Sequence, residues 1–137
     1  MALFNWLMPE IEHQGITYSL VFVQQRQLRL RITGTGRIPG NGEFQPWLPH
    51  CHRITDIWIG EGIVEIGNGA FHNCSQLQRV WLPGTLTRLG NAAFADSPLL
   101  EQITYEESPA QLRKVAVAAD AIPSRFGLRA EEVAHEL

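Results

Sequence analysis

Lysine occurs once in this chain, at Lys114, and cysteine twice, at Cys51 and Cys74. Two cysteines cannot staple a disulfide-dense secreted scaffold. The single lysine and ten arginines are spread along the chain against 14 acidic residues, for a net charge of −3. That balance lacks the clustered positive charge that nucleic-acid binding requires. No stretch approaches the ~20 consecutive apolar residues of a membrane-spanning helix. The apolar start MALFNWLMPEIEH has no Lys or Arg ahead of its apolar run and is followed by Glu10 and Glu12, so it does not read as a signal peptide. A soluble protein follows, cytoplasmic on the absence of a leader. At 137 residues the chain suits one domain with a real core rather than two independent ones.

What is present is a repeat. Between Ile54 and Tyr105 the sequence returns every 23 residues without insertion, as ITDIWIGEGIVEIGNGAFHNCSQ followed by LQRVWLPGTLTRLGNAAFADSPL. Ile54, Ile57, Ile59, Ile63, Ile66, Gly67, Ala70, Phe71 and Cys74 fall on Leu77, Val80, Leu82, Leu86, Leu89, Gly90, Ala93, Phe94 and Ser97. A third copy begins at Leu100, Ile103 and Tyr105 and then breaks. A fixed period of this length with this apolar spacing marks a solenoid, in which each unit buries its apolar face only against its neighbours.

Within one unit, Ile57 and Ile59 flank Trp58, and Val80 and Leu82 flank Trp81. This period-2 pattern predicts a short half-buried strand in each copy, the strands stacking as a parallel sheet. A tight turn follows, then a second apolar pair, then Gly67 or Gly90 at a corner that favours positive φ or close approach. NGAFHNC and NAAFADS suit one short helical or 3₁₀ turn returning to the next rung, with Asn68 and Asn91 as its caps.

Traced backwards by 23, Ala70, Phe71 and Cys74 land on Trp47, Leu48 and Cys51, so PWLPHC reads as the last turn of a degenerate earlier rung whose strand is Leu28, Leu30 and Ile32. Thr17 to Val23 with the polar QQRQ reads as the first arm of a β-hairpin covering the N-terminal end. At the other end, Val115 and Val117 suggest one more strand after an abbreviated step, and AEEVAHEL at 130–137 is a helix candidate for a C-terminal lid. The expected architecture is thus an α/β solenoid: a short repeat stack with a parallel β-sheet face, a hairpin cap and a short C-terminal helical cap. It divides into an N-terminal segment with cap and degenerate repeat (1–53), two full repeats and the start of a third (54–105), and a truncated repeat with C-terminal cap (106–137).

Laid out in this way, the chain resembles the BspA-like leucine-rich-repeat proteins, whose 23-residue unit pairs a short strand with an I-G-x-x-A-F-x-x-C turn. The matching residues are Ile66-Gly67, Ala70-Phe71 and Cys74, then Leu89-Gly90, Ala93-Phe94 and Ser97. The upstream Thr33-Gly34-Thr35-Gly36 and Pro46-Trp47 resemble that family's hairpin cap, so that the likeness runs from Gly15 to Tyr105. The resemblance implies a cell-surface or secreted bacterial protein that binds other proteins and is not an enzyme. Tryptophan at the outward strand position departs from the family's usual Thr or small polar residue.

That position is the candidate site. If Ile57 and Ile59 point inward, Trp58 points out, with Trp81 about 5 Å away on the next rung. The column runs Arg31, Trp58, Trp81, Thr104, beside a second column Arg29, Asp56, Arg79, Gln102. Exposed Trp flanked by Arg is the composition of binding hot spots, which makes Trp58, Trp81, Arg79, Asp56, Arg31 and Arg29 a face for a protein partner. A homodimer through the same face, or cover by the chain's own tail, is the alternative. His50, Cys51, His52, His72 and Cys74 carry the ligand types of a zinc site, yet the repeat assigns both cysteines to small core positions. Buried free thiols are therefore expected, ahead of a disulfide across adjacent rungs or a metal. Gly34-Thr35-Gly36 with Gly40 and Gly42 lacks the spacing and the following helix of a phosphate loop. Glu106, Glu107, Ser108 and His135 define no nucleophile-base pair, Glu101 joins the first two as a solvated acidic edge, and Phe4, Trp6, Leu7 and Met8 are expected to pack on their own domain. No cofactor is implied.

Overall fold

The computed structural model describes residues 8–24, 26–105, 116–118 and 120–123. Alternation of β-branched and polar residues produces the first layer: β1 (Ile11–His13), β2 (Ile16–Gln24), β3 (Gln27–Gly34), β5 (Asp56–Ile59), β7 (Arg79–Leu82) and β9 (Gln102–Tyr105). They form one sheet in the order β1-β2-β3-β5-β7-β9. The β2–β3 hairpin is antiparallel, and β1 adds a further antiparallel strand to it. From β3 onward every pairing is parallel, in the register set by the repeat: Leu30 beside Ile57, Ile57 beside Val80, Val80 beside Ile103. The hairpin cap and the parallel face thus follow the expectation.

A second parallel sheet was not anticipated. β4 (Gly36–Ile38), β6 (Ile63–Ile66), β8 (Arg88–Leu89) and β10 (Ala116–Val117) align in the order β10-β8-β6-β4. In β6, Ile63 and Ile66 are buried while Val64 is exposed. Two inward residues three apart do not match the strand period of two, which is why this arm escapes a pattern search. The further strand expected near Val117 is β10, which continues the second sheet against β8, with Val117 beside Leu89. Val115 and the helix expected over 130–137 lie outside the described residues.

The third side of each rung is the return arm; the first carries a 3₁₀ turn, and over residues 67–74 and 90–97 no helix forms. Alternate N–H groups bond locally and axially. Those of Ala70, His72 and Cys74 reach the carbonyls of Gly67, Gly69 and Phe71, while those of Gly69, Phe71 and Asn73 reach Asn91, Ala93 and Ala95 on the next rung. Every donor is satisfied, so a helix has nothing to add. Among the described residues the one helical piece is the 3₁₀ turn Leu48–His50, and the architecture is a β-solenoid rather than an α/β one. Asn68 does not cap a turn; its Oδ1 accepts the Asn91 N–H of the next rung at 2.8 Å. Gly67 and Gly90 serve close approach, since a Cβ on either would sit 2.5–2.6 Å from a neighbouring backbone nitrogen.

Inside these three sides the core is a set of axial columns, one of them aromatic. Tyr18, Trp47, Phe71 and Phe94 follow one another at ring separations of 5.5, 5.2 and 5.4 Å. Trp47 is fully buried and its Nε1–H donates to the Ala70 carbonyl at 3.2 Å, whereas Leu48 is 53% exposed. Counting back 23 from Phe71 had placed Leu48 in this column. One extra residue in the turn between Trp47 and Cys51 breaks the strict period, and the larger ring takes the site. Met8 is buried in the same core; Phe4, Trp6 and Leu7 lie outside the described residues. Trp47→Ala is expected to cost about 3–5 kcal/mol of unfolding free energy in a urea titration. Leu48→Ala should stay within about 0.5 kcal/mol of wild type.

Candidate binding face

The outward side chains of the first sheet stand in two columns fixed by strand register. Arg31, Trp58, Trp81 and Thr104 make one, and Arg29, Asp56, Arg79 and Gln102 the other. Because Ile57, Ile59, Val80 and Leu82 face the core, both indoles are forced outward. They are half-buried rather than freely exposed. The guanidinium of Arg31 lies over the Trp58 ring, 5.0 Å from its centroid, and that of Arg29 reaches diagonally across β5 to lie 4.8 Å from the centre of Trp81. Such stacking contributes on the order of 1 kcal/mol per pair.

Asp56 organises the arginines. It is buried, with Arg29 Nη2 at 3.6 Å and Arg79 Nη1 at 3.5 Å on its two oxygens, and the Thr55 hydroxyl donates to Oδ1 at 2.8 Å. Arg79 also meets Glu101 at 3.5 Å, so this solvated carboxylate borders the face. Arg29 Nε is buried and finds no hydrogen-bond acceptor among the described residues. Gly60 is a further contributor that sequence reading took only as a turn residue. A Cβ there would lie 3.1–3.2 Å from the Trp58 ring, so its absence lets the indole lie flat over the end of its own strand.

The other candidate clusters do not assemble. His72 pairs with Asp96 at 3.0 Å, and among the described residues no three His, Cys, Asp or Glu side chains converge as metal ligands would. Cys51 and Cys74 are free thiols. In the Gly34-Thr35-Gly36 segment, the Thr35 and Gly36 N–H groups bond to Gly15 and Gly62, which leaves neither for a phosphate. Glu106, Glu107, Ser108 and His135 lie outside the described residues. No helix among those described is long and apolar enough to cross a membrane.

The repeat fold has counterparts among known proteins. The model of the BspA type leucine rich repeat region (6 copies) matches residues 47–119, more than half of the chain. A leucine-rich repeat protein from Eubacterium ventriosum superposes with a TM-score of 0.59 at 26% identity, covering 77% of this chain and 26% of its own. A leucine rich cell surface protein from Faecalibacterium prausnitzii matches at 20% identity and a TM-score of 0.35, over 83% of this chain and 36% of its own. The pneumococcal vaccine antigen PcpA matches at 14% identity and 0.31, over 80% and 40%. The chain therefore spans about a quarter of the length of the first of these solved structures. No curated protein matches it. With its repeat phase and the parallel pairing of its rungs established, the chain belongs to the BspA-type leucine-rich-repeat family.

Proposed function

We propose that this protein is a noncatalytic protein-interaction module whose contact surface is the outward face of the first sheet. Trp58, Trp81 and Arg79 form its centre, with Asp56, Arg31 and Arg29 around them. The observation that carries this reading is the pair of outward indoles held flat under guanidinium groups. Trp and Arg are the residue types that dominate binding energy at interfaces, and solenoids use their extended sheet faces for contact. The family's repeats support an interaction role in the same direction.

Charge narrows the partner. The guanidinium groups of Arg29, Arg31 and Arg79 are opposed by the buried carboxylate of Asp56 and, at the edge, by Glu101. The face is left positive although the chain as a whole is negative. A protein segment that sets carboxylates between apolar residues would complement it, since planar guanidinium groups bind carboxylates in paired hydrogen bonds.

Selection of phage-displayed peptides on the immobilised protein should enrich sequences with Asp or Glu beside apolar residues. Titration followed by tryptophan fluorescence is expected to show a loss of about 2 kcal/mol, roughly thirtyfold in Kd, for Trp81→Ala and for Arg79→Ala. Affinity should fall with added salt, while Arg37→Ala on the second sheet should leave it unchanged. Peptides that bind Trp58→Ala/Trp81→Ala as well as wild type would remove the face from consideration. A wild-type dimer in light scattering that dissociates in the same double variant would mean that a second copy occupies it. Asp56→Ala tests the support beneath the face: loss of about 2–3 kcal/mol in urea unfolding is expected, at the low end for a buried pair because both guanidinium groups keep a quarter of their exposure.

A further inference from the structure

The return arms of the first two rungs bring both cysteines of the chain together. The Cys51 N–H reaches the Leu48 carbonyl at the end of the 3₁₀ turn, and the Cys74 N–H reaches the Phe71 carbonyl at the equivalent place one rung on. Trp47 and Phe71, stacked at 5.2 Å, hold the two arms in contact. Rungs repeat at about 4.8 Å, within the roughly 4.4–6.8 Å between Cα atoms that a disulfide spans. Both thiols are free, and a hydrogen bond joins them.

Their surroundings differ in a way that separates their chemistry. Cys74 is fully buried, while Cys51 is half-buried. Donation from the Cys74 S–H to the Cys51 sulfur favours the charged form of Cys51, and His52 adds to this, so that its pKa is held down at about 6 against the opposing effect of burial. The same hydrogen bond, with desolvation, pushes the Cys74 thiol up. Only thiolates are effective nucleophiles, so at neutral pH Cys51 is the reactive member.

We propose that Cys51 and Cys74 form a peroxide-reactive dithiol, with Cys51 the attacking thiolate, Cys74 the resolving thiol, and a disulfide between the first and second rungs as the oxidised state. The Cys51 thiolate attacks one oxygen of a hydroperoxide; the O–O bond breaks, hydroxide or alkoxide leaves and takes up a proton, and Cys51 becomes a sulfenic acid. The Cys74 sulfur then attacks the Cys51 sulfur. The S–S bond forms as the S–O bond breaks, and the hydroxyl departs with the Cys74 proton as water. Two thiols are oxidised by two electrons, and hydrogen peroxide is reduced to two waters.

Treatment of the native protein with hydrogen peroxide, followed by intact-mass measurement and tryptic mapping, is the test. The expected product is a monomer lighter by two hydrogen atoms, with peptide 38–53 joined to peptide 54–79. In Cys74→Ser, dimedone should trap a sulfenic acid at Cys51. That variant has a precedent in the fold, since Ser97 occupies the equivalent buried position of the next rung. In Cys51→Ser, Cys74 should stay unlabelled while the protein is folded. Retention of both thiols in wild type, a disulfide joining two molecules, or equally fast labelling of Cys74 in Cys51→Ser would overturn the proposal. The wild-type mapping decides it even if a variant does not fold.

Discussion

Hydrogen bonding along the axis sets every rung one strand spacing, about 4.8 Å, from the next, and the rest of the structure is arranged around that distance. Whatever occupies a position on one rung must tolerate its counterpart directly above it. Aliphatic columns such as Leu30, Ile57, Val80 and Ile103 meet this condition without effort, and so do offset aromatic rings, whose preferred separations bracket the spacing. Charges do not, because like charges in register repel. The chain resolves the problem in the same way on both sheets. Arg29, Asp56 and Arg79 alternate in sign on the first, and Arg37, Glu65 and Arg88 alternate on the second, at 2.9 and 3.3 Å.

The same spacing decides where the period can be broken. From Ile66 to Leu89 the chain advances 23 positions, but from Ile38 to Ile66 and from Leu89 to Val117 it advances 28. Axial pairing survives the first departure because the additional residues between Ile38 and Trp47 leave the stack as a loop. In the first rung the loop is anchored by Glu43, which receives the Arg37 guanidinium and the Gly40 N–H. That contact holds the Glu43 carboxyl below its usual range and places the loop beside the Arg37–Glu65 pair. Breaks of period fall in the end rungs, where only one neighbour must be matched.

Legibility in the sequence follows from these rules. The stack, the first sheet, its register and the hairpin were readable because they rest on strict alternation and on an uninterrupted period through residues 54–105. Trp47 was misplaced by one position because the first return arm carries one more residue between its aromatic and its cysteine, Trp47 to Cys51, than the next arm does between Phe71 and Cys74. The second sheet was missed because its inward residues are spaced three apart. One short helical or 3₁₀ turn was expected over NGAFHNC and NAAFADS because small and aromatic residues at that spacing fit one; the axial hydrogen bonds that replace it involve no side chain and leave no trace in composition. At the candidate face the columns were readable, but the guanidinium cover was not. Arg29 reaches Trp81 diagonally, across an intervening strand, and such reach depends on side-chain length and on the pull of Asp56 rather than on register.

That cover bears on how the face can work. Flexible arginines on a sheet lose considerable side-chain entropy when a partner fixes them. Here Arg29 and Arg79 are already tied to a buried carboxylate and Arg31 is already laid on an indole, so much of that loss has occurred on folding. The indoles are likewise held, by Gly60 beneath Trp58 and by the stacked guanidinium groups. On the proposed reading a partner would meet a surface with little left to order, and its carboxylates would engage donors that the fold has already oriented. The cysteine pair lies on the return arm rather than on this sheet, so a covalent tie there would stiffen the first two rungs, which carry Arg29, Arg31, Asp56 and Trp58, without placing any new group on the contact surface.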